Sequence, residues 1–350
     1  YSWVRIGANA MESGASKFST AQREYQVKLS SLLALPISVE IPRIRILSFD
    51  IECASINPEF PLAHESPIVT IGCAYYCHDV CGTSSIVERT AYAFSIKPDI
   101  PQCAVFPGCA IPHSEEVFTL KVYNDEQRMI EAWRDDVVIF GDVDILTGYN
   151  IWKFDIPYLI KRMNVLDSNS RFFRFGKLFK SWVAAAKSDS FSSSAKGDNE
   201  MMLLNAPGIN EIDVFMIAKG RNYSDYSLKT VASNVFKDRH KGDMHYKEIT
   251  PAHRSFEDER IAAYCIRDCE LPVWLMETWG TIDELIALSK VSYTPLGALV
   301  SKGQGVKVHN MIRAECHRMG FVYNPVHFAA EPYEGATVIE PVRGFYDKPV

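Results

Sequence analysis

The sequence predicts an α/β fold, a mixed sheet flanked by helices, and three observations carry that prediction. Apolar-rich runs of strand length stand at 44–52, 66–76 and 90–96. Strand and helix patterns then alternate between 126 and 165, and beyond 227 helical spacing dominates.

Residues 1–43 mix Gly, Ser and short apolar runs without a sustained period and read as the end of a preceding domain plus a connector. Pro42 punctuates the entry to a strand, Ile44 to Glu52. Ser66 to Tyr76 and Thr90 to Ile96 are further strand candidates, and the three successive strands are expected to be antiparallel. Asn124 followed by Gln127 resembles a capping box, and Met129, Ile130 and Trp133 give Glu126 to Val137 a helical spacing. A strand is predicted at Asp144 to Tyr149. Ile156, Leu159, Ile160 and Met163 then form one stripe of a helix over Phe154 to Val165.

The Ser-rich stretch Lys187 to Glu200 has no period and predicts an exposed loop or hairpin tip, with order resuming at Ile212. Helices are predicted at Ser227 to Phe236, at Phe256 to Thr278 with a disturbance at Pro272, at Ile282 to Lys290, and at Val306 to Met319 closed by Gly320. There is no internal repeat.

Composition is that of a globular protein: 47% of residues are apolar, and no apolar run approaches the about 20 residues that a membrane helix needs. No membrane association is expected. With Tyr at position 1 and no signal-peptide pattern, the chain reads as a fragment. Nine cysteines without a Cys-x-x-Cys pair suit a reduced compartment. The spacing of Cys73, Cys77 and Cys81 permits zinc, but the first two lie in an apolar run, which favours buried or free thiols. A net charge of −6 gives no global sign of nucleic-acid binding. A carboxylate-rich metal site would meet phosphate through its cations instead.

Three short motifs carry acids: Phe-Asp-Ile-Glu with Asp50 and Glu52, Asn-Ile-Trp-Lys-Phe-Asp with Asp155, and Tyr-Cys-Ile-Arg-Asp with Asp268. Along a strand, residues two apart share a face, so Asp50 and Glu52 present paired carboxylates while Phe49 and Ile51 enter the core. Alone, that pattern equally describes a strand with a polar outer face. Asp155 falls in the first turn of a helix, where exposed amides favour an anion whether or not it has a function. Tyr264 and Asp268 are four apart on a helix and share a side, yet each also has an ordinary reading, as a half-buried aromatic and as a partner for Arg267. Asn150 follows a strand and suits a turn. Together the acids suggest a set that holds hard divalent cations for phosphodiester cleavage, that is, a nuclease.

The ordered combination resembles the DEDD exonucleases, in the DEDDy form with Tyr264 in the last motif. Leu-Ser-Phe-Asp-Ile-Glu-Cys at 47–53, Thr-Gly-Tyr-Asn-Ile-Trp-Lys-Phe-Asp-Ile-Pro-Tyr-Leu at 147–159 and Tyr-Cys-Ile-Arg-Asp-Cys-Glu-Leu-Pro at 264–272 are similar to the exonuclease motifs of family B DNA polymerases. Similarity to the delta branch continues in Pro-Leu-Gly-Ala-Leu-Val-Ser-Lys-Gly-Gln-Gly-Val-Lys-Val at 295–308 and Gly-Ala-Thr-Val-Ile-Glu-Pro at 335–341.

The resemblance implies an RNase H-like fold in three parts: 1–43, the end of an N-terminal domain; 44–290, a 3′-to-5′ exonuclease domain with a hairpin or loop near 187–211; and 291–350, a linker and the truncated start of a palm. It implies a replicative DNA-directed DNA polymerase as the parent protein, with no polymerase active-site residue inside these 350 residues. Asp50, Glu52, Asp155 and Asp268 would hold two Mg²⁺ (or Mn²⁺) ions, and Tyr264 would orient the attacking water. Asn150, Phe154 and Tyr158 are candidates for contact with substrate, although core packing is the favoured reading for Phe154 and Tyr158. Implied partners are the single-stranded 3′ end of DNA on a primer-template, dNTPs for the parent, and a sliding clamp with accessory subunits. The implied location is the nucleus for a cellular protein or the infected host cell for a viral one. The rivals are a DEDD exonuclease acting on RNA and an inactive exonuclease fold serving as scaffold.

Overall fold

The computed structural model describes residues 4–7, 9–14, 17, 23–34, 43–55, 60–79, 86–112, 114–137, 142–178, 187–193, 197–204, 206–239, 241–242, 244–323 and 344. Two short antiparallel ladders come first, β1 (Val4–Ile6) with β4 (Leu32–Ala34) and β2 (Met11–Glu12) with β3 (Tyr25–Gln26). The main sheet begins with β5 (Ile44–Cys53), β6 (Ile68–His78) and β7 (Ile86–Ile96), and these three are antiparallel neighbours as expected. Next come β8 (Cys103–Ala110), β9 (Val117–Tyr123) and helix α1 (Glu126–Asp135). Then follow β10 (Ile145–Gly148), α2 (Asp155–Asp167), a hairpin of β11 (Lys187–Ser193) with β12 (Gly197–Leu203), and β13 (Asn210–Asp213). Seven helices complete the order among the described residues: α3 (Val214–Ala218), α4 (Leu228–Val235), α5 (Tyr246–Arg254), α6 (Asp258–Thr278), α7 (Thr281–Ser292), α8 (Leu296–Ser301) and α9 (Gln304–Arg318).

The main sheet has seven strands in the order β13-β10-β5-β6-β7-β9-β8. It is mixed: β10 runs parallel to both β5 and β13, and β9 runs parallel to β7, while β8 pairs antiparallel at the edge. This bears out the α/β class. Helices cover both faces. Phe49 packs its ring 5.0 Å from that of Trp133 on α1, whereas the next residue, Asp50, meets Cys265 of α6 on the opposite face. α6 lies close to β6, and Gly72 permits it: a Cβ there would stand 2.8 Å from the Cys265 sulfur and 3.0 Å from that of Cys269.

Several local expectations need correction. The N-cap of α1 is Asp125 rather than Asn124. Asp125 is the last extended residue and its carboxylate accepts the Arg128 amide at 2.9 Å, while Gln127 reaches Glu131 and Asp167. No disturbance breaks α6 at Pro272, because nearly the whole length of that helix is buried and packing holds it continuous. The Ser-rich stretch is a regular hairpin whose register runs from Lys187 opposite Leu203 to Ser193 opposite Gly197, with its tip at 194–196 outside the described residues. Of the two expected readings, loop or hairpin, this is the hairpin; backbone pairing needs no side-chain period, which is why the sequence left both open. Of the three cysteines with zinc-like spacing, Cys73 is buried in β6, Cys77 is partly buried and Cys81 lies outside the described residues.

Among the described residues no helix is long and apolar enough to cross a membrane. The chain divides into two compact units, 1–311 and 312–350. In the second, the end of α9 is closed by Gly320 in the left-handed region at φ 78°, as its position in the sequence suggested, and the Phe321 amide returns to the Cys316 carbonyl.

Candidate active site

Asp50 and Glu52 stand side by side on the α6 face of β5, half-buried, while Phe49 and Ile51 are in the core. The Ile51 amide between them donates to Asp155 Oδ1 at 3.1 Å, tying the start of α2 to the central strand. Asp155 itself is only 1% exposed. From the other side α6 brings Asp268, 5% exposed, whose Oδ2 accepts from Lys241 Nζ at 2.5 Å. Its Oδ1 is buried without a hydrogen-bond partner. One turn earlier, Cys265 Sγ donates to the Asp50 carbonyl at 3.3 Å. Ligand atoms of Asp50, Glu52 and Cys265 all lie within 4.8 Å of one another.

The electrostatics follow from crowding acids in a poorly solvated place. Burial, and then the Asp268 charge, push Asp50 up to about 7 against the pull of Lys241. Burial, with Asp50 and Asp268 adding to it, drives Glu52 well above the usual carboxylate range. Asp155 is raised by burial and by Asp50, although the amide hydrogen bonds oppose the shift. Asp268 is raised by burial while Lys241 holds it down. Three of these carboxylates, Asp50, Glu52 and Asp268, thus share Lys241, while Asp155 is held by backbone amides. An all-oxygen, under-compensated donor set with a buried oxygen lacking any partner fits a hard divalent cation.

Tyr264 lies one helical turn before Asp268, half-buried, with the Lys241 ammonium 5.4 Å above its ring. Burial and the Asp268 charge raise its phenol, so the hydroxyl keeps its proton at neutral pH. Gly242 admits the ring, since a Cβ there would come within 2.9 Å of it. Lys241 was not singled out in the sequence. Its only local signal is a place in the basic run Lys237 to Lys241, and its partner lies on an element 27 residues away.

The turn that delivers Asp155 is built by Asn150 and Asp213. Asn150 has a left-handed backbone, φ 64°, and its amide donates to Asp213 Oδ1 at 2.8 Å. The amides of Trp152 and Phe215 also donate to Asp213, at 3.1 and 3.0 Å. Gly148 lets this turn fold back, for a Cβ there would meet the Phe49 carbonyl at 2.5 Å. Tyr158 is core: it is 5% exposed and its hydroxyl donates to the Ser66 carbonyl at 2.8 Å. Phe154 is half-buried and packs edge-on against Phe60, which in turn neighbours Tyr246, with centroid spacings of 5.5 and 6.0 Å. Both outer rings are well exposed.

A mixed seven-stranded sheet, covered by helices and presenting clustered acids on its central strand, defines the class as an RNase H-like exonuclease domain. The model of the DNA polymerase family B exonuclease domain matches residues 1–231, and that of DNA polymerase family B matches 294–350. The chain belongs to DNA polymerase family B. It is 32% identical over 339 residues to the DNA polymerase delta catalytic subunit of Plasmodium falciparum, covering 93% of this chain and 29% of that relative. With the DNA polymerase delta catalytic subunit of Dictyostelium discoideum it shares 31% identity over 361 residues, 100% of this chain and 30% of the relative. For that of Mesocricetus auratus the figures are 29% over 360 residues, 99% and 31%. The chain therefore spans less than a third of the length of these relatives.

Proposed function

We propose that this chain is the 3′-to-5′ proofreading exonuclease part of a replicative, delta-like DNA-directed DNA polymerase. The observation that supports it most is the cluster of four acids, three of them sharing Lys241, with an unpartnered Asp268 oxygen. Asp50, Glu52, Asp155 and Asp268 hold two Mg²⁺ or Mn²⁺ ions in this reading. Bound there, the ions supply activation of water and stabilisation of the departing 3′ oxygen.

The chain's own groups do the positioning. The Ile51 amide orients Asp155, and Lys241 orients Asp268. Tyr264, kept protonated, donates its hydroxyl hydrogen to the attacking water or to the scissile phosphate. Asn150 and Asp213 hold the turn that carries Asp155. The exposed rings of Phe60 and Tyr246, continued inward by Phe154, offer stacking surface to a frayed single-stranded 3′ end, at about 1–3 kcal/mol per base.

In this reading 44–290 is the nuclease domain, 1–43 closes a preceding domain and 291–350 leads toward a palm. The parent protein works in the nucleus on primer-template DNA with dNTPs, a sliding clamp and accessory subunits. The test offers the folded chain 3′-labelled single-stranded DNA and a matching RNA, in Mg²⁺ or EDTA, beside Asp50→Ala and Asp268→Ala. The expected result is Mg²⁺-dependent release of deoxynucleoside monophosphates, lost in both variants. Cleavage of RNA alone, or none by a folded chain, would overturn the proposal.

A further inference from the structure

We propose that a cleft over α6, walled by Arg239, Arg267 and Trp274, is a separate nucleotide site that takes up the deoxynucleoside 5′-monophosphate released by the nuclease. The proposal rests on the nuclease reading and adds a place for its product, on residues outside the acid cluster. The cleft is a cavity of about 780 Å³ between residues 111–116, which join β8 to β9, and residues 238–244, which lie between α4 and α5. Small-molecule ligands occupy cavities of about 300–1,000 Å³. None of the four acids is among the described residues that line it, whereas Lys241 and Tyr264 are. It therefore adjoins the place where the product is made without being that place.

Its chemistry is cationic on one part and apolar on another. Arg260, Ala263, Tyr264 and Arg267 recur at helical spacing along α6, and Trp274 follows two turns later. Trp274 is buried and fixed, and it gathers two guanidinium groups: that of Arg239 lies 4.4 Å from its ring centroid and that of Arg267 5.3 Å. Two planar forks brought to one ring suit a phosphate, which accepts paired N–H donors. Ile111, Met244 and Ala263 are buried and give the same cavity an apolar wall for a base or sugar.

The charge that is left over can be traced. Arg260 is paired with Glu248 and Glu257, Arg267 with Glu270, and Lys241 with Asp268, while Glu116 of the lining is paired with Arg89. Arg239 is exposed and has no ion pair among the described residues; its contacts are the rings of Trp274 and Phe236. It is the cation with a charge to spend on a ligand, and Arg267 turns further donors toward the same ring. A dianionic phosphate leaving the acid cluster would meet these two groups next.

The experiment measures binding of dAMP, 2′-deoxyadenosine and inorganic phosphate to the intact chain in EDTA, by calorimetry, and product inhibition of cleavage by dAMP in Mg²⁺. The variants are Arg239→Ala, Arg239→Lys and, as a control on the opposite face of the sheet, the exposed Arg128→Ala, with folding checked by circular dichroism. Expected is dAMP binding without metal that weakens at least about 10-fold in Arg239→Ala, the scale of losing a charge-assisted hydrogen bond, and less in Arg239→Lys. The inhibition constant for dAMP should rise with it, and Arg128→Ala should change neither. Deoxyadenosine binding as tightly as dAMP, phosphate binding as tightly as dAMP, or equal dAMP affinity with and without the Arg239 guanidinium would each overturn the proposal. A folded chain that cleaves no DNA yet binds dAMP in an Arg239-dependent way would overturn the nuclease reading and leave a nucleotide site standing.

Discussion

Two acids two residues apart on α6 have opposite surroundings. Glu270 is fully buried, yet Arg89 Nε donates to its Oε1 at 2.8 Å, a second Arg89 nitrogen adds to the same oxygen, and Arg267 lies 3.1 Å from its Oε2. Among the described residues, the cation paired with Asp268 is Lys241, which it shares with Asp50 and Glu52. Burial raises the pKa of both acids, but two arginines oppose the shift at Glu270 while one lysine must serve several carboxylates at the other place. Burial of an acid is therefore no sign of function. Lack of compensation is, because an unpaired buried charge costs several kcal/mol and persists where a bound cation offsets it.

The strongest way to break this comparison is to remove acids from the under-compensated group. Asp50→Ala or Asp268→Ala should lower single-turnover nuclease rates by about 10³-fold or more, the scale of losing a major electrostatic stabiliser, with the folded state retained in Mg²⁺-free buffer. A variant that kept near-normal rates would remove the contrast. On the compensated side, Arg89→Ala leaves Glu270 with Arg267 alone and should cost about 3 kcal/mol of stability in denaturant unfolding, with the Mg²⁺ dependence of cleavage unchanged. Loss of Mg²⁺ affinity in that variant would mean that the two sides of α6 are not separate.

The smallest effect is in pH. A carboxylate whose folded pKa is raised stabilises the fold below its unfolded value of about 3.9 and loses that contribution as pH rises through the folded value. For Asp50 that value is about 7, and Asp213, raised to about 6 by burial, acts in the same direction. In EDTA the melting temperature should fall between about pH 5 and about pH 8, and Mg²⁺ should flatten the fall. A melting temperature that rises with pH in EDTA would contradict the crowding of acids at the site.

Legibility of the fold followed the range of the signal. β5, β6 and α2 were readable because their apolar spacing is a property of adjacent residues. β8 was not, since Pro107 and Gly108 stand in its middle and interrupt any strand pattern. In the structure they sit at a register shift between Phe106 and Cys109 of an edge strand, where a missing donor is tolerated. α5 was hidden by an unusual cap, His245, and by the internal Pro251. At the site, the acids were nameable from motif order, and the turn role of Asn150 was visible in its residue type. The partner of Asp268 was not.

The residues alone determined which side chains are acids, which strand and helix positions they occupy, and to which family's motifs they are similar. Each of these follows from local periodicity or from direct comparison of residues. The tertiary structure decided that α6 presses on Gly72 closely enough to set Cys265 against Asp50, that Lys241 serves Asp268, and that Arg89 reaches Glu270 instead. Desolvation and charge compensation depend on neighbours distant along the chain, and only packing brings those neighbours together.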